Sequence, residues 1–275
     1  MTLSEQRQAL RTILRHQAVN TLFQPIVSTL EKRIVGYEAL SRGPSNSPLH
    51  SPLILFAAAR RTGLLTELEM LCRQQAVKRF SSLGLPGRLF LNVSPESLLE
   101  QSHSPGRTLQ MLEAARLDPK RVVIELTEQA PVEDYNLLHI ALHHYRDMGF
   151  TIALDDLGAG YSSLRLWSEL RPEFVKIDRH FIDGIHRDPL KKEFVGSMLN
   201  MARASQAHII AEGIEQREEL ETLSSMGVDW VQGYWLGRPE AEPELNHLAL
   251  VQKLSPRPAP GIALRPLSLV HTGAL

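Results

Sequence analysis

The sequence predicts an α/β fold, a modified TIM (β/α)8-like barrel with the first strand antiparallel. Short apolar, β-rich runs alternate with stretches of helical periodicity, which favours parallel strands joined by crossover helices. The first two runs, Leu22–Val27 and Arg33–Leu40, are separated only by Ser28–Lys32, which is too short for a crossover helix, so we expect them to pair antiparallel. About seven strand–helix repeats follow, the number expected of such a barrel. A doubly wound sheet is the alternative that strand counting leaves open.

The remaining elements follow in order along the chain. Further strands are expected at Arg88–Val93, Val122–Leu126, Thr151–Leu154, Phe174–Ile177, His208–Ala211 and Trp230–Val231. Helices are expected over 4–17, Pro52–Arg61, Glu67–Phe80, Thr108–Ala115, Asp134–Met148, Ser162–Leu170, Pro189–Ala204 and Gln216–Met226. Gly149 and Gly227 stand where two of these helices should end. We therefore divide the chain into an N-terminal helix (1–20), the barrel (21–252) and a proline-rich tail or linker (253–275).

Composition narrows the classes of function. The 275 residues carry a formal charge of −1, which argues against a protein that binds along a nucleic-acid backbone, so we expect no DNA partner. The single cysteine, Cys72, excludes an intrachain disulfide and suits a cytoplasmic location. No run approaches the roughly 18 apolar residues of a membrane span, and the N-terminus lacks the pattern of a signal peptide.

Polar side chains gather at the C-terminal ends of the predicted strands, which meet at one rim of a barrel. They are Glu38, Asn92, Glu125, Glu128, Asp155, Asp156, Lys176, Asp178, Glu212, Glu215 and Gln232. Carboxylates converging beside a single lysine would repel one another unless divalent cations were bound. Oxygen donors without histidine or cysteine suit Mg²⁺ or Mn²⁺, and two such ions commonly serve to cleave a phosphodiester. Arg42 could then hold a phosphate at the rim.

Simpler interpretations compete with this one. Each acid taken singly is more often a solvated loop residue or a helix cap, and Glu128 and Glu215 could complement helix dipoles. Lys176 could serve simply to balance the charge of the neighbouring Asp178. A barrel glycosidase with two rim carboxylates is a further alternative, but the aromatic residues that stack on sugars make up only 6% of the chain. The metal-site hypothesis rests on the joint pattern across several strands.

The motifs around these residues resemble those of the EAL domain, the bacterial cyclic di-GMP phosphodiesterase, over about Leu22 to Glu240. They are E-A-L-x-R at 38–42, N-V-S at 92–94, E-L-T-E at 125–128, D-D-x-G-x-G-Y-S-S at 155–163, K-I-D at 176–178, A-E-G-I-E at 211–215 and Q-G-Y at 232–234. Seven motifs in one order make the resemblance specific. The loop commonly reads D-D-F-G in this family, and here Leu157 replaces the phenylalanine, from which we expect modest effects on loop packing or on a dimer contact.

The resemblance implies hydrolysis of cyclic di-GMP to linear pGpG with two Mg²⁺ or Mn²⁺ ions. The implied metal ligands are Glu38, Asn92, Glu125, Asp155, Asp156 and Glu212, and the implied catalytic residues are Glu38, Lys176 and Glu212. Lys176 would hold or polarise the attacking water. The implied substrate contacts are Gln24, Leu40, Arg42 and Gln232.

The resemblance also implies a homodimer. Glu128 and Glu215 would anchor the loop Asp156–Ser163, through which family members couple dimerisation to activity. A catalytically inactive cyclic di-GMP receptor is the alternative within the family. Loss of a metal ligand would mark such a receptor, and every expected ligand position is filled here.

Overall fold

A closed barrel forms the centre of the molecule. The computed structural model describes residues 1–99, 105–126, 135–157, 163–243 and 247–254. Within them the strands are β1 (Asn20–Ser28), β2 (Arg33–Arg42), β3 (Arg88–Val93), β4 (Val122–Leu126), β5 (Thr151–Leu157), β6 (Phe174–Ile177), β7 (His208–Ala211) and β8 (Trp230–Gln232). They close in chain order; β1 pairs antiparallel with both β2 and β8, and the other neighbours pair parallel. The predicted barrel with an antiparallel first strand is confirmed, and the doubly wound sheet is excluded.

Helices surround the barrel. They are α1 (Leu3–His16), α2 (Pro52–Thr62), α3 (Leu65–Ser82), α4 (Pro95–Leu99), α5 (Pro105–Ala115), α6 (Tyr135–Asp147), α7 (Ser163–Leu170), α8 (Arg179–Ile182), α9 (Pro189–Ser205), α10 (Arg217–Met226) and α11 (His247–Leu254). The periodic pattern did not predict α4 and α8, because helices of five and four residues are too short to show a period. It also did not predict α11, which runs across the boundary proposed at 252. Residues 255–275 of the predicted tail lie outside the described residues.

Local sequence explains where several helices begin and end. Thr2 and Glu5 form a reciprocal capping box that starts α1. Gly227 ends α10 with a φ of 89°, and Gly149 follows α6 with a φ of 94°. Both values lie in the left-handed region, which glycine adopts without the steric cost that a Cβ would bring. The predicted stop signals at these two glycines are therefore confirmed.

Apolar residues fill two layers. Ile26, Val35, Phe90, Val123, Ala153, Phe174 and Ile210 form a cluster inside the barrel. A larger cluster packs the outer face of the sheet against the helices, and a third lies beneath α1, α2 and α3. Among the described residues, every helix is too short or too polar to cross a bilayer. The filled interior gives the strand ends a rigid base on which side chains can be placed precisely.

Candidate active site

Strand periodicity carries the polar side chains into the barrel mouth. Side chains two residues apart on a strand face the same side. On five strands an interior apolar residue is followed, two positions later, by a polar one: Phe90 and Asn92, Val123 and Glu125, Ala153 and Asp155, Phe174 and Lys176, and Ile210 and Glu212. The barrel interior therefore changes from an apolar base to a polar mouth at one level of the strands.

Lys176 lies at the centre of this polar mouth. Its Nζ is 2.7 Å from Glu212 Oε1, 2.8 Å from Glu125 Oε1, 3.0 Å from Asp155 Oδ1 and 3.4 Å from Glu38 Oε2. The lysine side chain is 1% exposed. One buried ammonium thus faces four carboxylates drawn from four other strands or strand ends, and when all are ionised the cluster keeps an excess of negative charge.

Amide side chains hold Glu38 from both sides. Asn92 Nδ2 donates to Glu38 Oε1 at 3.0 Å, and Gln232 Nε2 donates to Glu38 Oε2 at 2.7 Å. Gln232 Nε2 also lies 3.3 Å from Gln24 Oε1, and Gln24 Nε2 donates to the carbonyl of Gly237 at 3.3 Å. These bonds fix the Glu38 carboxylate in one orientation, toward Lys176.

Burial and neighbouring positive charge shift the pKa values of these acids in opposite directions. Burial raises the pKa of Glu125 and of Glu212 well above the ordinary range, and it raises the pKa of Asp155, because Lys176 only partly offsets the loss of solvation. Burial acts on the pKa of Glu38 too, but Lys176 and the bonds from Gln232 and Asn92 outweigh it and lower that pKa. The four carboxylates raise the pKa of Lys176 well above its usual value despite burial, so the ammonium stays charged.

A backbone irregularity brings two consecutive aspartates to the same place. Asp156 has a φ of 55°, a left-handed value that aspartate tolerates better than most residues, and the β5–β6 register shifts between Leu154 and Leu157. The usual alternation of side chains is thereby broken. Oxygen atoms of Asp155, Asp156 and Glu212 lie within 4.8 Å of one another.

The donor set fits divalent cations. Within the described part of the chain, the buried oxygens Glu125 Oε2 and Gln232 Oε1 have no hydrogen-bond partner. Buried polar atoms are rarely left unpaired, and carboxylates in excess of the available positive charge are costly. Carboxylate and amide oxygens are what Mg²⁺ and Mn²⁺ prefer, so the residues present could hold such ions.

Two cavities open beside this cluster. One, of about 500 Å³, is lined by Glu38, Asn92, Asp155 and Asp156, by Leu40 and Arg42 at the end of β2, and by one face each of α2 and α3. The other, of about 230 Å³, is lined by Gln24, Glu212, Glu215, Gln232 and Tyr234, among others. The first cavity lies within the size range of small-molecule sites.

Some predicted residues lie elsewhere. Glu215 pairs with Arg179 at 2.8 Å, in the smaller cavity, and is not among the four carboxylates described around Lys176. Asp178 caps α8 by accepting from the His180 backbone N–H. Glu128 and residues 158–162 lie outside the described residues, so the loop-anchoring role of Glu128 and Glu215 stays a prediction.

Sequence reasoning missed the face of α2 that lines the larger cavity. Leu53, Phe56, Ala57 and Arg60 share this face through their i, i+3, i+4 and i+7 spacing, whereas the core face carries Leu55, Ala58, Ala59 and Thr62. Leu53 is 76% exposed. A helix with apolar residues on both faces signals a second contact beyond the core, and that signal was available in the sequence.

Comparison with known proteins decides the family. The EAL domain model matches residues 7–239. The chain belongs to the EAL domain family. An uncharacterised signalling protein of Caulobacter vibrioides is 30% identical over 246 residues, covering 86% of this EAL chain and 30% of that protein. The cyclic di-GMP phosphodiesterase PdeF of Escherichia coli is 28% identical over 235 residues, covering 84% of this chain and 31% of PdeF. This EAL chain thus spans about a third of the length of these curated relatives.

Solved structures are similar to this EAL domain as well. A standalone EAL protein from Vibrio cholerae O395, in its c-di-GMP-bound form, superposes with a TM-score of 0.74 at 30% identity, covering 83% of this chain and 95% of that one. Klebsiella pneumoniae BlrP1, in a calcium and cyclic di-GMP complex, gives a TM-score of 0.74 at 31% identity, covering 82% of this chain and 56% of the BlrP1 chain. This chain therefore shares its overall barrel fold with these solved EAL proteins.

Proposed function

We propose that this EAL domain hydrolyses cyclic di-GMP to linear pGpG. The observation that carries the proposal is the convergence of four carboxylates on the buried Lys176, beside a cavity of about 500 Å³. A structural barrel would gain nothing from this arrangement, because buried acids in excess of the positive charge cost stability. The name of PdeF and the ligand of the Vibrio cholerae protein support the choice of substrate.

Two Mg²⁺ or Mn²⁺ ions belong to the proposal. When bound, they would supply the positive charge that makes water a nucleophile at neutral pH and offsets the charge of the phosphate. The residues that would hold them are Glu38, Asn92, Glu125, Asp155, Asp156 and Glu212. Asn92 presents its nitrogen to Glu38 here, and a half-turn of the amide would present its oxygen instead. Complexes of BlrP1 contain calcium or manganese, which supports a divalent cation.

The protein's own groups would orient and activate the reactants. Lys176 would donate from Nζ to the attacking water, and Glu212, 2.7 Å from that Nζ, would accept the proton that the water loses. The water oxygen forms a bond to phosphorus while the P–O3′ bond breaks, and the leaving O3′ takes up a proton from solvent, which leaves a 5′-phosphate and a 3′-hydroxyl. Arg42 would hold the phosphate through charge-assisted hydrogen bonds. Gln24, Leu40 and Gln232 would position the rest of the nucleotide.

We further propose that two copies associate through the loop after Asp156, anchored by Glu128 and Glu215, and that the protein works in the cytoplasm. Leu157, where the family commonly has phenylalanine, is 1% exposed. The smaller side chain therefore changes packing at the base of the loop, and the metal ligands beside it are retained.

Product analysis tests this function. The purified protein is incubated with cyclic di-GMP and Mg²⁺ or Mn²⁺, with and without EDTA, and the products are separated by chromatography. We expect pGpG to appear only without the chelator, and to reappear when excess metal is restored. Binding without turnover would contradict the enzyme and favour the receptor. Turnover that resists EDTA would contradict the metal-dependent mechanism.

A further inference from the structure

The larger cavity has a charged wall, an apolar wall and a side formed by α3, which includes Glu69 and Arg73. The charged wall consists of strand-end residues, with Arg42 beside them. The apolar wall is the α2 face defined by Leu53, Phe56, Ala57 and Arg60. Leu53 is largely exposed, so its side chain contributes little to the packing of α2. The wall that it helps to form therefore suits a ligand group with an apolar surface.

Arg60 ends this apolar wall with an oriented guanidinium. Its Nε donates to Glu96 Oε1, 3.1 Å away, on α4 just after β3. Within the described part of the chain, its two terminal nitrogens make no hydrogen bond. The pairing through Nε leaves those two parallel donors available as a fork beside Phe56 and Leu53.

We propose that Arg60 reads the Hoogsteen edge of one guanine base and thereby makes the site prefer cyclic di-GMP to cyclic di-AMP. This inference rests on the proposed function. Guanine presents two acceptors on that edge, O6 and N7, which match a fork of two donors. Adenine presents N7 as an acceptor but N6 as a donor, so one Arg60 nitrogen would face another donor.

The position of Arg60 favours a base over a phosphate. The phosphates must reach the strand-end acids and Arg42, because the reaction takes place there. Leu53 and Phe56 supply the apolar contact that the face of a purine can use and that a phosphate cannot. A base packed on that wall would bring its edge to the guanidinium of Arg60.

Two substitutions separate the fork from its charge. Arg60→Met removes both, and Arg60→Lys keeps the charge but not the pair of parallel donors. We expect Arg60→Met to lower the ratio of kcat/KM for cyclic di-GMP to that for cyclic di-AMP by roughly tenfold or more. Arg60→Lys should lower it less, because an ammonium can still donate to guanine O6 and N7. Arg61→Met is the matched control, because its guanidinium bonds Gln6 on α1 and does not line the cavity. It should leave the ratio unchanged.

An analogue lacking one acceptor tests the atom itself. The inhibition constant of a cyclic dinucleotide carrying 7-deazaguanine, which lacks N7, is measured by competition against hydrolysis. We expect the analogue to bind the wild type more weakly than cyclic di-GMP does. To Arg60→Met, the analogue and cyclic di-GMP should bind with equal affinity. Leu53→Ala should weaken both guanine and adenine nucleotides equally, since it changes only the apolar wall.

The outcomes distinguish the two proposals. An unchanged ratio in Arg60→Met, or an equal loss for both nucleotides in that variant, would overturn the guanine-reading role while hydrolysis of cyclic di-GMP stands. A wild type that neither binds nor hydrolyses cyclic di-GMP would overturn both. Circular dichroism on each variant checks folding, which we expect to be intact because Arg60 lies on a helix surface with a side chain 46% exposed.

Discussion

Lys176 Nζ lies 2.8 Å from Glu125 Oε1, and neither side chain is more than 1% exposed. The two residues come from β6 and β4, with β5 between them. Removing one partner of a buried ion pair leaves the other uncompensated, which is more costly than the net benefit of the pair. Their closeness makes Lys176 the residue on which the charge balance of the site depends.

Lys176→Ala should lower turnover far more than it weakens metal binding. The expected fall in kcat is roughly 10²- to 10⁴-fold, the range for a positioned proton-transfer group. Metal affinity is measured by titration calorimetry and the rate at saturating metal. Lys191→Ala is a control, because Lys191 bonds a backbone carbonyl on the surface. If affinity collapsed while the rate at saturating metal stayed normal, Lys176 would be a metal-site residue instead.

Glu38→Ala should abolish turnover and leave the fold intact. Glu38 carries two amide hydrogen bonds and faces Lys176, so its loss removes a proposed metal ligand and the orientation of Asn92 and Gln232. Product formation is followed by chromatography and folding by circular dichroism. Glu31→Ala, in the turn between β1 and β2, should keep full activity. Near-wild-type rates in Glu38→Ala would show that the carboxylate is not part of the reaction.

The metal-free protein should lose stability as pH rises through about 6. Burial and the charge of Asp155 raise the pKa of Asp156 to about 6 from 3.8. The folded state therefore holds this proton more tightly than the unfolded chain does. The stability that Asp156 contributes is fully present below its ordinary value and is lost as pH rises through its folded value. Thermal unfolding in EDTA, from about pH 4 to about pH 8, should show a larger fall in Tm for the wild type than for Asp156→Asn.

Divalent cations should reverse that loss. Ions that bind only the folded state raise its stability by mass action, and they bind better once the carboxylates are ionised. Saturating Mg²⁺ or Mn²⁺ should therefore raise the Tm more at the alkaline end of this range than at the acidic end. A Tm that does not respond to either ion at any pH would contradict a metal site at Asp155, Asp156 and Glu212.

Cys72 should react with thiol reagents only when the protein unfolds. Burial raises the pKa of its thiol to about 12, and the side chain is 8% exposed. The reactive species is the thiolate, which is scarce several units below the pKa. Labelling of native protein near neutral pH should be slow, and urea should accelerate it in parallel with loss of helical signal. Rapid labelling of the folded protein would show that the cavity beside Cys72 opens in solution.

Much of the architecture was open to prediction because it is encoded locally. Strand–helix alternation, the short β1–β2 connection and the glycines at helix ends depend on residues close together in sequence. The polar residues at strand ends were predicted as a set for the same reason. A barrel places all its parallel strand ends at one rim, so Asn92 and Glu212 can be assigned to one neighbourhood although 120 residues separate them.

The tertiary structure decided what those residues do to one another. Only the closed barrel, completed by the β1–β8 pairing, shows that Lys176 contacts four carboxylates at once, and that Asn92 and Gln232 hold Glu38 between them. Likewise only the structure shows that the apolar face of α2 lines a cavity, and that Arg60 is oriented by its hydrogen bond to Glu96. Sequence determines which face a side chain occupies, because periodicity is local. Which groups meet across a cavity depends on how distant elements pack against one another. That packing also sets the distances between charged groups, and these distances determine pKa values and specificity.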